Sequence, residues 1–323
     1  MPDATLLAQL TLSGVVTGAF YTVMAIGFSL IMGTTGRFHF AFGFVYALAG
    51  YFVYTGTETL GWGFYPAVAA ATVLAAVVGV VIEVTLYRPL EARAGANVLL
   101  AVFITALGLS IAGQNLIKLA WGPSDLVLTS VPQTPHAWGP VTFVNFDIGQ
   151  VITAVVVLVA SVVVLRHTDL GLRIQAVKAN PELAASAGLD PRRVYLVVFA
   201  IGSGLSVLAG AWQYAKFTVS AGIGFAPTLT AFVVAFLAGL RLRPLVLATW
   251  SLVIALAERY VTIWFDASWS RLVVLAGLLV YLVLLSARTA GLQLPSWRPR
   301  AALSSPPTAA SPPTAASPPA GGG

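Results

Sequence analysis

The 323-residue chain is 58% hydrophobic and only 9% charged, with a formal net charge of +6 and no cysteine. A water-facing surface needs roughly a quarter of its residues charged, so lipid must solvate most of this chain. The missing cysteines exclude disulfide staples, thiolate metal sites and cysteine nucleophiles, and His39, His136 and His167 are too far apart to show metal-ligand spacing.

A helix crosses the hydrocarbon layer with about 20 mainly apolar residues. In chain order, nine segments approach that length: 6–32, 38–55, 62–86, 97–120, 148–165, 194–215, 226–240, 244–265 and 272–287. The opening Met1-Pro2-Asp3 lacks the positive region of a cleaved signal, so 6–32 reads as a retained helix. The stretch 226–240 is short enough for a partial span. Continuous runs such as Val155-Val156-Val157-Leu158-Val159-Ala160 do not alternate as barrel strands do. The expected fold is therefore all-α: a polytopic transmembrane bundle of about nine spans, within a range of eight to ten.

The basic residues orient it, since cytoplasmic loops collect lysine and arginine. With the amino terminus outside, inner segments hold Arg37; Arg88 and Arg93; Arg166, Arg173, Lys178, Arg192 and Arg193; Arg241 and Arg243; and Arg288, Arg298 and Arg300. That leaves Lys118, Lys216, Arg259 and Arg271 near outer helix ends, while Asp3, Glu58, Asp125, Asp147 and Asp266 lie outside. The cations follow topology and do not cluster with aromatics on a polar face, so no nucleic-acid partner is expected. Three regions result: a transmembrane domain over 1–290, a cytoplasmic loop over 166–193 within it, and a tail over 291–323. The tail repeats Ser-Pro-Pro-Thr-Ala-Ala and ends in three glycines, a composition that cannot bury enough surface to order itself.

Within the spans, Gly14 and Gly18, then Gly202, Ser206 and Gly210, place small residues four apart, as close helix packing in lipid requires. Glycine and threonine then concentrate where the first span meets the second. Gly33, Thr35, Gly36, His39 and Gly43 are candidate path residues there, because glycines interrupt a helix and broken helices expose backbone groups to polar solutes. An ordinary turn between two spans is the competing reading. His39→Ala is expected to alter transport more than stability. Glu83 lies about one turn from Arg88, and Glu258 is adjacent to Arg259, so an ion pair accounts for each better than a proton relay does.

The loop 166–193 carries the clearest local signal. Asn180-Pro181-Glu182 reads as an N-cap, a first-turn proline and an acid facing the helix dipole. Small helix formers follow, and Gly188 supplies a stop. A short capped helix in a cytoplasmic loop is what docking to a partner requires; a plain surface connector is the alternative.

At this loop the sequence resembles permease subunits of ABC importers, whose coupling loop has the form Glu-Ala-Ala-x-x-x-Gly. Glu182, Ala184 and Gly188 fall on that spacing, with Leu183 in place of one alanine and Ala185 beside them. Further pieces are similar to the branched-chain amino acid permease family. They are Gly18-Ala19-Phe20-Tyr21, Ala25-Ile26-Gly27-Phe28 and Gly33-Thr34-Thr35-Gly36 in the first span, and Arg88-Pro89-Leu90 after the third. Thr105-Ala106-Leu107-Gly108-Leu109-Ser110 with Gln114-Asn115 resembles the fourth span, and Gly171-Leu172-Arg173-Ile174-Gln175-Ala176-Val177 the approach to the coupling loop. Where the family usually has Asn-Phe-Ala-His-Gly-Glu, this chain has His39-Phe40-Ala41-Phe42-Gly43-Phe44, and its Gly-Gly-x-Gly-Ser segment is reduced to Ala238-Gly239-Leu240-Arg241-Leu242-Arg243. Both departures make that path less polar.

The resemblance implies a permease subunit of an ATP-driven importer for branched-chain or other small amino acids, or for urea and amides. Its implied partners are cytoplasmic ATP-binding subunits, docked through Glu182, Ala184, Ala185 and Gly188, a second permease subunit, and an extracytoplasmic solute-binding protein. The chain has no Gly-x-x-x-x-Gly-Lys run, so it is expected to carry no cofactor and to leave ATP to its partner. A secondary carrier, a channel and a membrane-embedded enzyme are the other classes. The first needs a charged core, the second moves solute without ATP, and the third needs a catalytic cluster.

Overall fold

A computed structural model describes residues 3–264 apart from 96–97, 140 and 241, together with positions 266, 269, 276, 277, 280 and 283. The chain divides into two compact units, Met1–Val274 and Leu275–Gly323. The ninth expected segment, 272–287, and the tail lie essentially outside the described residues.

The first unit is a helical bundle of α1 (Ala4–Thr35), α2 (Phe42–Tyr54), α3 (Phe64–Ile82), α4 (Arg88–Ala94), α5 (Val98–Trp121), α6 (Asn145–His167), α7 (Asp169–Ala179), α8 (Pro181–Ser186), α9 (Pro191–Lys216), α10 (Phe225–Leu237) and α11 (Pro244–Val261). Eight of the nine expected segments fall on a helix. Six of those helices are long and apolar enough to cross a membrane, α3 being counted with its extension to Arg93. The other two, α2 and α10, are only 13 residues long. A count of nine full spans is therefore not reached among the described residues. The 13-residue α2 is lengthened by a π-helical turn, Thr55–Thr59.

α1 carries no charged residue along its 32 positions. A helix apolar all round belongs inside a bundle, and 83% of its most apolar stretch is buried, against 22% for α6. Its small residues admit the neighbours. A Cβ at Gly14 would lie 2.6 Å from Leu256 of α11, and one at Gly27 would lie 2.8 Å from the Gly202 carbonyl of α9. α3, α5 and α6 surround this centre and turn apolar faces outward. Val73, Val77 and Val81 are about half exposed or more at four-residue spacing, as are Ile152, Val155, Val156 and Val159. Such faces suit lipid or another apolar helix.

The helices run alternately between two ends. At one end Gln9 of α1 exchanges two hydrogen bonds with the Thr142 backbone, at 2.8 and 3.0 Å. Thr142 lies on a small hairpin absent from the all-α expectation, β1 (Pro135–Trp138) paired antiparallel with β2 (Val141–Val144), Pro135 opposite Val144. Leu126 and Val219 bridge beside it through backbone bonds of 3.0 and 2.7 Å. Glu58, beyond α2, accepts hydrogen bonds from the amides and hydroxyls of Thr129 and Ser130 at 2.7 to 2.9 Å. Its slight burial disfavours the charge, but these four bonds outweigh it and hold the carboxyl below the usual glutamate range. At the opposite end Lys178 of α7 donates to the Leu240 carbonyl at 2.7 Å, and Arg88 to the Arg192 carbonyl at 2.9 Å.

Candidate functional site

The segment between α1 and α2 is a compact turn held inside the bundle. α1 stops at Gly36, whose φ of +69° suits glycine and whose N–H bonds the Met32 carbonyl at 2.8 Å. Thr35 Oγ1 bonds back to the Ile31 carbonyl at 2.9 Å and accepts the Arg37 amide at 3.2 Å. Gly33 packs against Leu242, where a Cβ would meet Cδ2 at 3.1 Å. Gly43, in the first turn of α2, touches the Gly224 backbone at the start of α10, and a Cβ there would lie 2.8 Å from the Gly224 carbonyl oxygen. His39 is fully buried among Phe42, Tyr87 and Phe199, with Nδ1 2.8 Å from the Tyr87 hydroxyl. Its Nε2 has no partner among the described residues. The five candidates are thus neighbours on one interior turn, but none of them lines either of the two cavities described below.

Beside this turn lies a set of charges whose pairing the sequence hides. Arg37, only 3% exposed, is ion-paired with Glu83 and Glu91, and Arg88 reaches the other Glu83 oxygen at 3.4 Å. The Arg37 guanidinium also sits 5.1 Å over the Tyr195 ring of α9, a favourable cation–π geometry. Glu83 begins a π-helical turn, Glu83–Tyr87, that joins α3 to α4. Pro89 follows within α4; it has no N–H to give the ladder, and a widened turn just ahead of it is a familiar accommodation. These side chains line a cavity of about 410 Å³ together with Arg192. Sequence reading found the Glu83–Arg88 pair but missed Arg37, Glu91 and Tyr195.

The loop 166–193 folds into two helices. Thr168 caps α7 by accepting the Gly171 amide at 3.2 Å. α8 then has the expected start, with the Asn180 side chain accepting the Leu183 amide at 3.0 Å and Pro181 in the first turn. Its stop is a Schellman cap: the Leu189 amide bonds the Ala184 carbonyl and the Gly188 amide bonds the Ala185 carbonyl, both at 3.0 Å. Gly188 has φ +87°, a conformation that penalises any side chain. Ala184 is buried, whereas Glu182, Leu183, Ala185 and Gly188 are exposed, Leu183 by 67%. The knob is therefore small, stiff and free on its outer face. Asp190 caps α9 by accepting the Arg192 amide at 3.0 Å, and the Arg192 carbonyl takes the bond from Arg88. A short stretch of backbone and the Arg88 hydrogen bond thus link α8 to the Arg37 charge cluster.

At the hairpin end is a larger chamber of about 800 Å³ between α1, α9, α11 and the loop 217–224. Asp147, Lys216, Glu258 and Arg259 line it, with Val16, Phe20, Ala226 and Pro227 among the apolar residues. Glu258 accepts from the Tyr21 hydroxyl at 2.8 Å, and Arg259 donates to Thr17 at 3.0 Å. The two are adjacent in sequence, but the structure ties each to α1 across the bundle. Among the described residues no group of three or more metal-ligating side chains occurs.

The family model for the permease component of branched-chain amino acid transport systems matches residues 10–284. The chain is 28% identical over 251 residues to the high-affinity branched-chain amino acid transport system permease protein LivH of Escherichia coli K12, covering 73% of this chain and 80% of that one. To the corresponding protein BraD of Pseudomonas aeruginosa it is 26% identical over 260 residues, 76% and 83% of the two chains. A more distant likeness, 27% over 199 residues, covers 61% of this chain and 53% of the fructose import permease protein FruF of Bifidobacterium longum. No solved structure matches.

Proposed function

Because the chain belongs to the family of branched-chain amino acid transport permeases, we propose that it forms one membrane half of an ATP-driven importer for branched-chain or other small amino acids. The cation-rich end, with Arg37, Arg88, Arg173, Lys178, Arg192 and Arg193, faces the cytoplasm, and the hairpin end faces outward. A second permease subunit pairs with it. A solute-binding protein delivers cargo to the hairpin end, and cytoplasmic ATP-binding subunits dock on α8.

The observation that carries this reading is the build of α8. A helix of six residues gains little from its own ladder, yet α8 is capped at both ends and presents Glu182, Leu183 and Ala185 outward. A body of that kind transmits a push instead of absorbing it. Closure of the ATPases would displace α8, and the Asp190–Arg192 cap and Arg88 carry that displacement to the Arg37 cluster. The bundle then rocks between outward-open and inward-open arrangements. An uncharged cargo, such as a sugar, urea or an amide, is the second reading, and the likeness to a fructose import permease favours it.

The test is uptake by the assembled importer in proteoliposomes. Gly188→Val and Glu182→Trp should leave the protein in the membrane and ATP hydrolysis measurable, while solute uptake per ATP falls at least about tenfold. Uptake at the unmodified rate in both variants would remove α8 from the coupling path.

A further inference from the structure

The cavity of about 410 Å³ at the cation-rich end holds more positive charge than the fold uses. Arg37, Arg88 and Arg192 line it against Glu83 and Glu91, and Tyr195 is the remaining titratable side chain there. Both carboxylates are engaged, Glu83 by Arg37 and Arg88, and Glu91 by Arg37. Three cations against two anions leave one positive charge over, and the geometry gives it to Arg192. That side chain is exposed, and its guanidinium has no partner among the described residues. The two bonds at this residue, from its amide to Asp190 and from Arg88 to its carbonyl, belong to its backbone. The Tyr195 hydroxyl also has no hydrogen bond among the described residues. An accessible guanidinium beside a free phenol is a donor set suited to a phosphate oxygen. A solvated surface arginine would account for the charge alone, but not for the surface that leads up to it. Val73, Val77, Val81 and Val84 are 64%, 53%, 49% and 42% exposed, and Arg88 continues their three-to-four-residue spacing into the cavity. At 1.5 Å per residue that valine strip is about 16 Å long, which is half of the hydrocarbon layer of about 30 Å, or one leaflet.

We infer that this cavity binds the headgroup phosphate of an anionic phospholipid from the cytoplasmic leaflet, Arg192 and Tyr195 donating to the phosphate while one acyl chain lies along the Val73–Val84 strip. The inference rests on the importer reading for the name of the leaflet. A single surplus cation matches a headgroup of net charge −1, whereas the choline of phosphatidylcholine would bring a second cation to a site that has one to spare. Basic pockets between helices on the cytoplasmic side are suited to such headgroups. Because Arg88 and the backbone of Arg192 also form the link between α8 and the Arg37 cluster, a lipid held there braces that link and raises uptake per ATP.

The test is native mass spectrometry of the assembled importer released from nanodiscs that mix phosphatidylcholine with phosphatidylglycerol. The unmodified importer should retain phosphatidylglycerol in preference. Arg192→Gln, which keeps both backbone bonds of that residue, should lower the preference about fivefold, the worth of one arginine at a membrane surface, and Arg192→Lys should keep most of it. Arg93, exposed on α4 but outside the cavity, is the control, and Arg93→Gln should leave the preference unchanged. Undiminished retention in Arg192→Gln overturns the inference, as does an equal loss in Arg93→Gln, which would mean a general surface field. Uptake in proteoliposomes separates lipid from free anion. Phosphatidylglycerol should stimulate uptake by the unmodified importer and not by Arg192→Gln, and inorganic phosphate added to phosphatidylcholine vesicles should not substitute for it. Stimulation by inorganic phosphate to the same extent overturns the lipid assignment. ATP-dependent uptake absent in every lipid, with phosphatidylglycerol still retained, overturns the importer reading and leaves the lipid site standing.

Discussion

At one end of α1, Arg37 is buried against Glu83, Glu91 and the Tyr195 ring, with Arg88 closing the set. Near the middle of α1, 20 positions earlier and about 30 Å away for a straight helix, Arg259 bonds Thr17 through Nη2, and its buried Nε–H has no partner among the described residues. The same residue type is spent twice in different ways. Charges that complete one another hold a structure in register, and a buried pair of this kind resists rearrangement until something large moves it. The difference separates a transmitting end, next to α8, from a receiving end under the hairpin.

Arg37→Ala probes the closed set and has the largest expected effect. It leaves Glu83, which is fully buried, with only the 3.4 Å contact to Arg88, and the cost of breaking a buried pair is about 3–5 kcal/mol. Thermal unfolding of the purified importer should fall well below that of Arg259→Gln, which removes a part-buried group outside any ion pair among the described residues. Equal losses would erase the contrast between the two ends. Gly43→Val comes next. Its side chain meets the Gly224 carbonyl, and the displaced α2–α10 contact should cost toward the upper end of about 1–3 kcal/mol.

His39→Phe keeps an aromatic ring, slightly larger than imidazole, and leaves the Tyr87 hydroxyl without its partner, for about 1–2 kcal/mol. Uptake kinetics of the surviving protein then sharpen the picture. An unchanged KM and kcat assigns His39 to packing between the two ends, and a raised KM assigns it to the path. The smallest effect belongs to Glu58. Its folded carboxyl lies below the unfolded value, so the stability it lends is present above about pH 4.5 and is lost as pH falls through the lower folded value. Hydrogen exchange at Thr129 and Ser130 should therefore rise only in acid below that point, and a Glu58→Gln variant should show the faster exchange at neutral pH.

What could be read from the sequence was local. The spans on α1, α3, α5, α6, α9 and α11 follow from runs of apolar residues, and α8 from cap chemistry contained within nine positions, Asn180 to Gly188. The contacts that give these elements their roles are long-range. Arg37 finds Glu83 and Glu91 across 46 and 54 positions, and Glu258 finds Tyr21 across 237. Consecutive residues on a helix point about 100° apart, and Glu258 and Arg259 each reach a different residue of α1. The hairpin escaped notice because its strands of four residues lie in a proline-rich stretch with no sustained alternation. The candidate turn 33–43 was correctly located as a break between helices, but composition could not show that it is packed shut.

The absence of native cysteine makes the central claim, that α8 faces the cytoplasm and carries the load of an ATPase, open to a direct measurement. Single cysteines at Ala185 and at Trp138, which is 83% exposed on the hairpin, are treated with a membrane-impermeant maleimide in right-side-out and inverted vesicles. The account predicts that A185C reacts only in inverted vesicles and is protected when the ATP-binding subunits are present, while W138C reacts only in right-side-out vesicles. Reaction of A185C from the outer face, or from the inner face with equal speed whether or not those subunits are bound, would contradict it.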